Sequence, residues 1–540
     1  MNLSAGGSPG DESRSHWETF AAYTARTLQE WSPIIASNRA PYEPTPAGGM
    51  RRGSGGLVTA MLTVAGATGA TWVACARTEA ERRLAQKGDA VVIAHAHQAP
   101  ITIRHAQTDS TSYEEHYAVI ANPLLWFIQH YLWHLAYEPV VDQRIHHAWE
   151  NGYVATNQHL ADAVIGVARG ALRPPLVLTQ DYQLYLAPRM IRDQLPDATL
   201  QQFIHIPWPT PQYWTVLPKT MRDAIIDGLL ANDLVGFQTK RDVRNFLMSC
   251  DELMGLRVDH RDSAVLHRGR VVWVRAYPVS IDVAALTRLS ASPGVAAEDA
   301  RLAAWRPEKL IVRIDRTDPT KNIIRGFLAY ERMLISHPEL VGTVQFWAFL
   351  QPSRQDVAAY REYLQRIRST VGRINAELNQ PGWQPIRLEL QENLKRAAAA
   401  YKSFDVLLVN PIYDGMNLVA KEGMLLNTVD GVLVLSENAG AHEQLGKYAL
   451  SINPFDVDAT ADALYRGLTM PLEDRKARGE EIRRQVRSDD ILQWLRCQLD
   501  DIRDYAPSRG GRTRRPKPPL EKSPGCAIPR GLLPSQNNWT

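Results

Sequence analysis

Two series of short apolar runs lie along the 540-residue chain, and stretches of helical periodicity separate the runs. Runs without polar alternation predict strands buried on both faces, as parallel strands are in α/β proteins. The first series comprises 31–37, 71–76, 175–180, 201–206, 233–238 and 271–279, and the second comprises 309–315, 342–350, 405–410 and 431–437. Two such series predict an α/β protein with two doubly wound, Rossmann-like domains. A ligand is expected in the cleft between them, at the carboxyl ends of the strands.

The segments around these two series give the predicted boundaries. We expect a disordered tail over 1–30, the first domain over 31–285 and the second over 286–485. Residues 486–505 are predicted to form a helix that crosses back to the first domain. The segment 506–540 is rich in Pro, Gly and Arg, cannot bury a core and is predicted to be a basic disordered tail.

The net charge of the chain is distributed unevenly between this tail and the rest of the protein. The whole chain has 61 Lys and Arg against 58 Asp and Glu, a formal charge of +3. Segment 506–540 holds seven basic residues and one acidic residue, so the remainder carries −3. A mildly acidic body argues against a nucleic-acid partner, because such proteins need a basic face to displace counterions from phosphates.

Membrane and secreted classes are not favoured either. Segment 53–76 is uncharged and long enough to span a bilayer, but its Gly, Thr and Ala content favours a glycine loop, a helix and a strand. No signal peptide is evident over 1–15, and the four cysteines lack CxxC spacing. We therefore expect no membrane span, no zinc site, no disulfide framework and a cytoplasmic location.

Several common catalytic patterns are missing from the sequence. We find no GxGxxG followed by an acid, no GxxxxGK[ST], no HExxH and no GxSxG. Dehydrogenase, P-loop NTPase, zincin and hydrolase interpretations therefore lose their main support.

Two clusters in the first domain carry candidate chemistry. RRGSGGL, with Gly55 and Gly56 ahead of a helix, can bring backbone N–H groups to an anion, and Arg39 lies just upstream. Asp181 and His205 follow predicted strands, where a parallel sheet presents its ligand groups. The structural alternatives are a simple turn for the glycines, a helix N-cap for Asp181 and a core histidine for His205.

Two further clusters lie in the second domain. In RIDRTDPTKN, Arg316 and Lys321 could neutralise a leaving diphosphate, although a solvated basic turn would look the same. In NPIYDGMNLVAKEGM, Asp414 and Glu422 lie about two helical turns apart and could bind sugar and ribose hydroxyls. The structural alternative is a capped helix with a surface glutamate.

Taken in order, these clusters resemble the retaining trehalose-6-phosphate synthases of glycosyltransferase family 20, which have the GT-B fold. The resemblance extends from about Trp31 to Tyr505. The motifs that match are SNR with GSGGL, QDYQ, HIPWPTP, GFQT, RTDPTK, PSRQDV, DGMNLVAKE and LSENAGAHEQL. It implies glucose transfer from a nucleotide-glucose, with UDP-glucose as the expected donor, to glucose 6-phosphate.

The resemblance also implies residue roles, with the first domain binding the acceptor and the second the nucleotide-sugar. The implied donor-binding residues are Gly55, Gly56, Arg316, Lys321, Asn417, Leu418, Val419 and Glu422. The implied acceptor-binding residues are Arg39, Tyr117, Trp126, Asp181 and Arg354, and those at the reacting centre are Asp181, His205, Arg316, Lys321 and Asp414. No protein nucleophile, metal or cofactor is implied, and a homo-oligomer stays open.

Departures from the family pattern leave two alternatives. Gln180 and Gln183 stand where the family has histidines, and Tyr413 stands where it has arginine. HIPWP and RTDPTKN resemble the related pseudo-glycosyltransferases, which join an activated cyclitol to an amino-cyclitol phosphate through a C–N bond. A non-catalytic sugar-phosphate sensor is the other alternative. LQENLKR, near the expected base site, matches neither group well, so the sequence does not choose between UDP, GDP and ADP.

Overall fold

A computed structural model of the protein describes residues 9–45, 49–53, 56–93 and 99–505. Gly55 and the segment 506–540 lie outside these residues, so the donor contact and the basic tail predicted there stay predictions. The described strands are β1 Ser32–Ser37, β2 Tyr42–Pro44, β3 Met50–Arg52, β4 Thr71–Cys75, β5 Val91–Ile93, β6 Ile101–Ala106, β7 Pro175–Gln180, β8 Thr199–Phe203, β9 Leu234–Phe237, β10 Arg257–Asp259, β11 Ala264–His267, β12 Arg270–Ala276, β13 Lys309–Arg316, β14 Val344–Gln351, β15 Ile386–Leu390, β16 Val406–Val409, β17 Val432–Ser436 and β18 Leu450–Ile452.

The helices alternate with these strands. They are α1 Pro9–Thr27, α2 Gly56–Thr68, α3 Glu79–Lys87, α4 Ser110–Glu114, α5 Trp126–Gln129, α6 Gln143–His147, α7 Ala155–Arg169, α8 Ala187–Gln194, α9 Pro211–Trp214, α10 Lys219–Leu229, α11 Lys240–Met254, α12 Val283–Ser290, α13 Pro293–Ala303, α14 Ile323–Ser336, α15 Ala358–Leu378, α16 Leu394–Ser403, α17 Val419–Leu426, α18 His442–Leu445, α19 Val457–Thr469, α20 Leu472–Ser488 and α21 Ile491–Tyr505. Two π-helical stretches, Glu115–Leu125 and Ala148–Val154, adjoin these helices. Among the described residues, none of the helices is both long and apolar enough to cross a membrane.

Two large sheets organise the fold. The first has the strand order β10-β11-β12-β9-β8-β7-β1-β4-β6-β5, and the second has the order β15-β14-β13-β16-β17-β18. Every pairing in the second sheet is parallel. The first is parallel from β12 to β6 and antiparallel at both ends. The predicted α/β architecture with two Rossmann-like units is therefore confirmed.

The strand β12 differs from its sequence prediction. The run 271–279 was expected to be buried on both faces, yet Val271 is 47% exposed. The reason is its position, because β12 joins the parallel part of the sheet to the antiparallel hairpin formed by β10 and β11. A strand near such an end has one face that is less covered by helices.

The N-terminal segment also differs from its prediction, because residues 9–27 form helix α1 instead of a disordered tail. Phe20 is buried, and Trp17 and Tyr23 pack against the same core at helical spacing. The Tyr23 hydroxyl donates to Asp500 on α21 over 2.6 Å. These apolar positions were too few to suggest a helix without the surface they pack on.

Helix α21 follows the second sheet in sequence but contacts the first. The indole of Trp494 donates to the carbonyl of Tyr277 over 3.1 Å, and the hydroxyl of Tyr277 donates to Asp501 over 2.7 Å. Gln201 on β8 donates to Gln498 over 3.0 Å. These buried polar contacts attach the end of the described chain to the centre of the first sheet.

Two of the four cysteines, Cys75 and Cys250, are free thiols buried in the fold.

Candidate active site

Asp181 and His205 follow the neighbouring strands β7 and β8, and the structure brings them together. The backbone N–H of Asp181 donates to the carbonyl of Phe203 over 2.8 Å, and Oδ1 of Asp181 accepts the backbone N–H of His205 over 3.1 Å. Asp181 has φ 73° and ψ 177°, a conformation that is costly for a residue with a Cβ atom. Burial raises the pKa of Asp181 to about 6, against the opposing effect of the backbone N–H groups of His205 and Tyr182.

The imidazole of His205 is held as a neutral group. Its Nε2 lies 3.1 Å from Oε1 of Gln180, the last residue of β7. Burial lowers the pKa of His205 to about 3, so the ring is uncharged at neutral pH. With an amide oxygen facing Nε2, the proton lies on that nitrogen and Nδ1 is left as an acceptor. His205 can therefore orient a hydroxyl group without adding charge.

Arg316 and Lys321 lie on the turn that leaves β13. The side chain of Arg316 is exposed and makes no hydrogen bond or ion pair with another described residue. Lys321 forms an ion pair with Oδ2 of Asp414, and the same oxygen accepts Nδ2 of Asn417 over 3.0 Å. Lys321 is thus already paired with the loop that carries Asp414, whereas the side chain of Arg316 is free to bind an anion.

The loop 414–417 is fixed by close contact between the two halves of the molecule. A Cβ atom added to Gly415 would lie 2.0 Å from the carbonyl oxygen of His205, so no larger residue fits there. Asn417 has φ 66°, and its buried Oδ1 has no partner among the described residues. An unpaired buried acceptor is energetically costly, so a ligand that donates a hydrogen bond to this oxygen would remove that cost.

Helix α17 carries the remaining predicted donor residues. Leu418 precedes the helix and Val419 begins it, both partly buried. Oε2 of Glu422 accepts the hydroxyl of Tyr401 over 3.2 Å, and burial raises the pKa of its carboxyl group. In the glycine loop, Gly56 begins α2, and its predicted phosphate contact stays a prediction.

The predicted acceptor residues of the first domain gather around the predicted acceptor arginine of the second. The guanidinium carbon of Arg354 lies 3.9 Å from the ring centre of Trp126, and Nη2 of Arg39 donates to the hydroxyl of Tyr117 over 3.4 Å. Burial alone would raise the pKa of Tyr117, but the positive charges of Arg354 and Arg39 outweigh it and lower that pKa. The four side chains therefore form one positively charged, aromatic-lined group.

A buried carboxylate connects this group to the turn 316–321, which is called the donor turn below after its predicted role. Burial alone would raise the pKa of Asp318, but the charges of Arg354, Arg316 and Lys321 outweigh it and lower that pKa. The Arg354 charge also acts on Asp181, where it opposes the larger effect of burial, which raises the pKa of that carboxyl group. The cations predicted for two different substrates thus converge on one small region.

Two contacts between the domains close the cleft beside this region. The carboxylate of Glu443, on α18, accepts the backbone N–H groups of Lys240 and Arg241 at the start of α11, over 3.1 and 3.2 Å. The rings of Tyr413 and Tyr131 lie 4.4 Å apart, in tilted contact. Tyr413, which replaces the arginine of the family pattern, thus packs against the first domain.

Sequence reasoning missed several of these residues. Asp318 lies inside the RTDPTKN motif, where only the cations carried a recognisable signal, and Tyr360 lies six residues after Arg354. Glu443 lies inside the LSENAGAHEQL motif, yet nothing in the motif indicated its partner on α11. In the described part of the chain, no group of three or more His, Cys, Asp or Glu side chains could hold a metal ion.

The comparison with protein families decides the classification. The family described as Glycosyltransferase family 20 matches residues 32–504, most of the chain. The chain belongs to this family. The membership confirms the resemblance that the motifs indicated.

Relatives of the chain include both trehalose-6-phosphate synthases and a valienyltransferase. It is 34% identical over 474 residues to a bifunctional trehalose-6-phosphate synthase/phosphatase of Thermoproteus tenax, a match covering 85% of this chain but only 62% of that protein. It is 31% identical over 493 residues to a trehalose-6-phosphate synthase of Mycobacterium avium, covering 88% and 96%. A validamine 7-phosphate valienyltransferase of Streptomyces hygroscopicus is 29% identical over 477 residues, covering 87% and 94%.

Solved structures agree with this classification and give the fold. The structure described as "Trehalose-6-phosphate from E. coli bound with UDP-2-fluoro glucose" matches with a TM-score of 0.76 and 28% identity, covering 87% of this chain and 99% of that one. A UDP-forming alpha,alpha-trehalose-phosphate synthase from Burkholderia xenovorans, in complex with glucose-6-phosphate, matches with a TM-score of 0.73 and 28% identity, with the same coverage. The chain has the GT-B fold, with two Rossmann-like domains facing each other.

Proposed function

We propose that the protein transfers glucose from a nucleotide-glucose, with UDP-glucose as the first candidate, to glucose 6-phosphate, giving α,α-trehalose 6-phosphate. The observation that carries the proposal is the convergence of Arg354, Arg316 and Lys321 on the buried carboxylate of Asp318. Two cationic groups at such a short distance from each other are suited to binding two phosphorylated substrates in one cleft. The relatives named trehalose-6-phosphate synthase and the solved structures with a UDP-sugar analogue and with glucose-6-phosphate support the same pair of substrates.

The second domain would bind the donor. Arg316 and Lys321 would contact the diphosphate, helped by the backbone N–H groups of Gly55 and Gly56 across the cleft. Asp414, which forms an ion pair with Lys321, would accept hydroxyls of the transferred glucose. Glu422 would accept ribose hydroxyls, while Asn417, Leu418 and Val419 would line the phosphate and base end.

The first domain would bind the acceptor, with one residue from the second. Arg39, Tyr117, Trp126 and Arg354 would hold the phosphate and ring of glucose 6-phosphate. Asp181 would accept the attacking hydroxyl group, and neutral His205 would contact the donor glucose. Acceptor and donor would then meet where β7 and β8 end.

The chemistry asked of the protein is positioning and charge stabilisation. The bond between the glucosyl carbon and the diphosphate oxygen breaks while the acceptor oxygen bonds to the same face of that carbon, so configuration is retained. The departing phosphate oxygen takes the proton of the acceptor hydroxyl. Arg316 and Lys321 would stabilise the charge that develops on the diphosphate, so we expect neither a protein nucleophile nor a cofactor.

The direct test is product formation by the purified protein. UDP-glucose and glucose 6-phosphate should give UDP and a phosphorylated disaccharide that a phosphatase converts to trehalose. Omitting glucose 6-phosphate should abolish UDP release. Absence of the disaccharide with UDP-, GDP- and ADP-glucose would reject the proposal.

A second candidate is C–N coupling of a nucleotide-activated cyclitol to an amino-cyclitol phosphate. The valienyltransferase relative and the motifs HIPWP and RTDPTKN favour it. Activity with nucleotide-glucose separates the two functions. Turnover of the cyclitol pair alone would favour coupling, whereas efficient turnover of the glucose pair would count against it.

A further inference from the structure

We infer that Tyr360 and Asp318 are positioning residues that hold the guanidinium of Arg354 in place to receive the acceptor phosphate. The inference rests on the proposed function, because it takes Arg354 to be the cation that binds this phosphate.

Contacts from both domains enclose the guanidinium of Arg354. Its side chain is only 11% exposed. Nη1 donates to the hydroxyl of Tyr360 over 2.6 Å, and Nη2 donates to the hydroxyl of Tyr182 over 3.3 Å. The ring of Trp126 covers one face. Tyr182 and Trp126 come from the first domain, so Tyr360 is the hydroxyl that anchors the group to its own domain.

Asp318 sets the direction of the Tyr360 hydroxyl. That hydroxyl donates to Oδ2 of Asp318 over 3.1 Å, which leaves its lone pairs to accept the Arg354 N–H. Nη1 of Arg354 lies 3.6 Å from the same carboxylate oxygen, a looser contact. The phenol therefore acts as a bridge between a fully buried carboxylate and the guanidinium.

The same carboxylate belongs to the donor turn. Oδ1 of Asp318 accepts the backbone N–H of Thr320 over 3.1 Å, and the backbone N–H of Lys321 donates to the Asp318 carbonyl over 2.9 Å. A continuous chain of contacts thus leads from the turn that carries Lys321 to Arg354. Arg354 itself has φ 48°, a backbone conformation that persists only where neighbouring contacts hold it.

The variant Tyr360→Phe isolates the hydroxyl, because the buried ring keeps its packing. We expect the full-length variant to bind glucose 6-phosphate about tenfold more weakly by calorimetry, the size of one charge-assisted hydrogen bond. KM for glucose 6-phosphate should rise by a similar factor, while KM for the nucleotide-glucose stays within about twofold. Asp318→Asn should act in the same direction, and the double variant should be little weaker than the weaker single variant.

Tyr363→Phe is the matched control on the same helix. The Tyr363 hydroxyl accepts the backbone N–H of Ile323 over 2.7 Å and does not contact Arg354. This variant should bind glucose 6-phosphate within about twofold of wild type, even if its thermal midpoint falls. A purely structural role for Tyr360 would make the two variants alike.

The outcomes separate this inference from the proposed function. If Tyr360→Phe binds glucose 6-phosphate as wild type does, or loses donor affinity equally, the inference is overturned. If wild type binds glucose 6-phosphate and Tyr360→Phe binds it weakly but no disaccharide forms, the inference stands and the proposed function fails. If wild type does not bind glucose 6-phosphate, both fail.

Discussion

At the residue scale, unusual backbone conformations mark the candidate site. Asp181, Arg354 and Asn417 all have φ between 48° and 73°, a region that residues with a Cβ atom rarely adopt. Strain of this kind persists where surrounding contacts fix it, and it concentrates at functional positions. Its place after a predicted strand pointed to Asp181, and the family resemblance implied Arg354 and Asn417. Their backbone conformations depend on tertiary contacts, which no local sequence pattern encodes.

The partly buried carboxyl of Asp181 should make folding stability depend on pH. Its pKa is raised from 3.8 to about 6, so between these pH values the folded state holds a proton that the unfolded state has lost. Stability therefore falls as pH rises through this window. Asp181→Asn should be more stable than wild type at pH 7.5 by about 1–2 kcal/mol, a value reduced for partial exposure. Urea denaturation should show this gain shrinking at pH 4.5, and a variant less stable at pH 7.5 would contradict the assignment.

The donor turn gives a second prediction at this scale. Arg316→Ala and Lys321→Ala should each lower kcat by about three orders of magnitude, because positioned cations stabilise charge on a leaving diphosphate. Arg325→Ala is the control, because the contacts of the Arg325 side chain are with Asn322 and the ring of Phe455, which are not among the predicted substrate-binding residues. Its rate should stay within about threefold of wild type. Steady-state rates that are unchanged in Arg316→Ala would exclude this role.

At the element scale, the type of apolar pattern decided which strands could be predicted. Strands such as β7 and β13 are continuous apolar runs in the middle of a sheet, and the sequence predicted them. The strands β6 and β15 have mixed burial and lie towards the sheet edges, so their sequences lack the continuous apolar run that predicts a buried strand. Edge strands have weaker sequence signals because only part of their surface is covered.

The junction between α18 and α11 should tune domain closure. Glu443 accepts two backbone N–H groups at the start of α11, where a carboxylate also interacts favourably with the helix dipole. Because this contact is exposed, we expect Glu443→Ala to raise KM for the nucleotide-glucose only about three- to fivefold. Glu480→Ala, an exposed glutamate on α20, should leave KM unchanged. Equal KM values for all three proteins would remove the role of the contact.

Helix α1 should contribute to stability although it precedes the family match. Phe20 is buried in the core shared with α2 and α21. Phe20→Ala should lower the free energy of unfolding by about 3 kcal/mol, the usual cost of a large cavity. Arg26→Ala, exposed on the same helix, should change it by less than about 0.5 kcal/mol. Chemical denaturation measures both, and a silent Phe20→Ala would show that α1 does not pack as described.

At the scale of the whole molecule, function depends on loops from two sheets meeting at one place. The sequence could predict two Rossmann-like domains and the charged residues at their strand ends. It could not predict that Gly415 would lie against His205, or that Asp318 would connect Arg354 to the donor turn. Such contacts depend on how loops that are distant in sequence pack against one another, within a domain or between domains, and no local pattern encodes that packing.

A single cleft that joins two phosphorylated substrates must release both products together. ³¹P NMR of purified protein with UDP-glucose and glucose 6-phosphate follows nucleoside diphosphate and sugar phosphate in the same sample. We expect UDP and a new phosphorylated disaccharide to appear in equal amounts, and neither to appear when glucose 6-phosphate is omitted. UDP release without the acceptor, or no disaccharide with UDP-, GDP- or ADP-glucose, would contradict the claim.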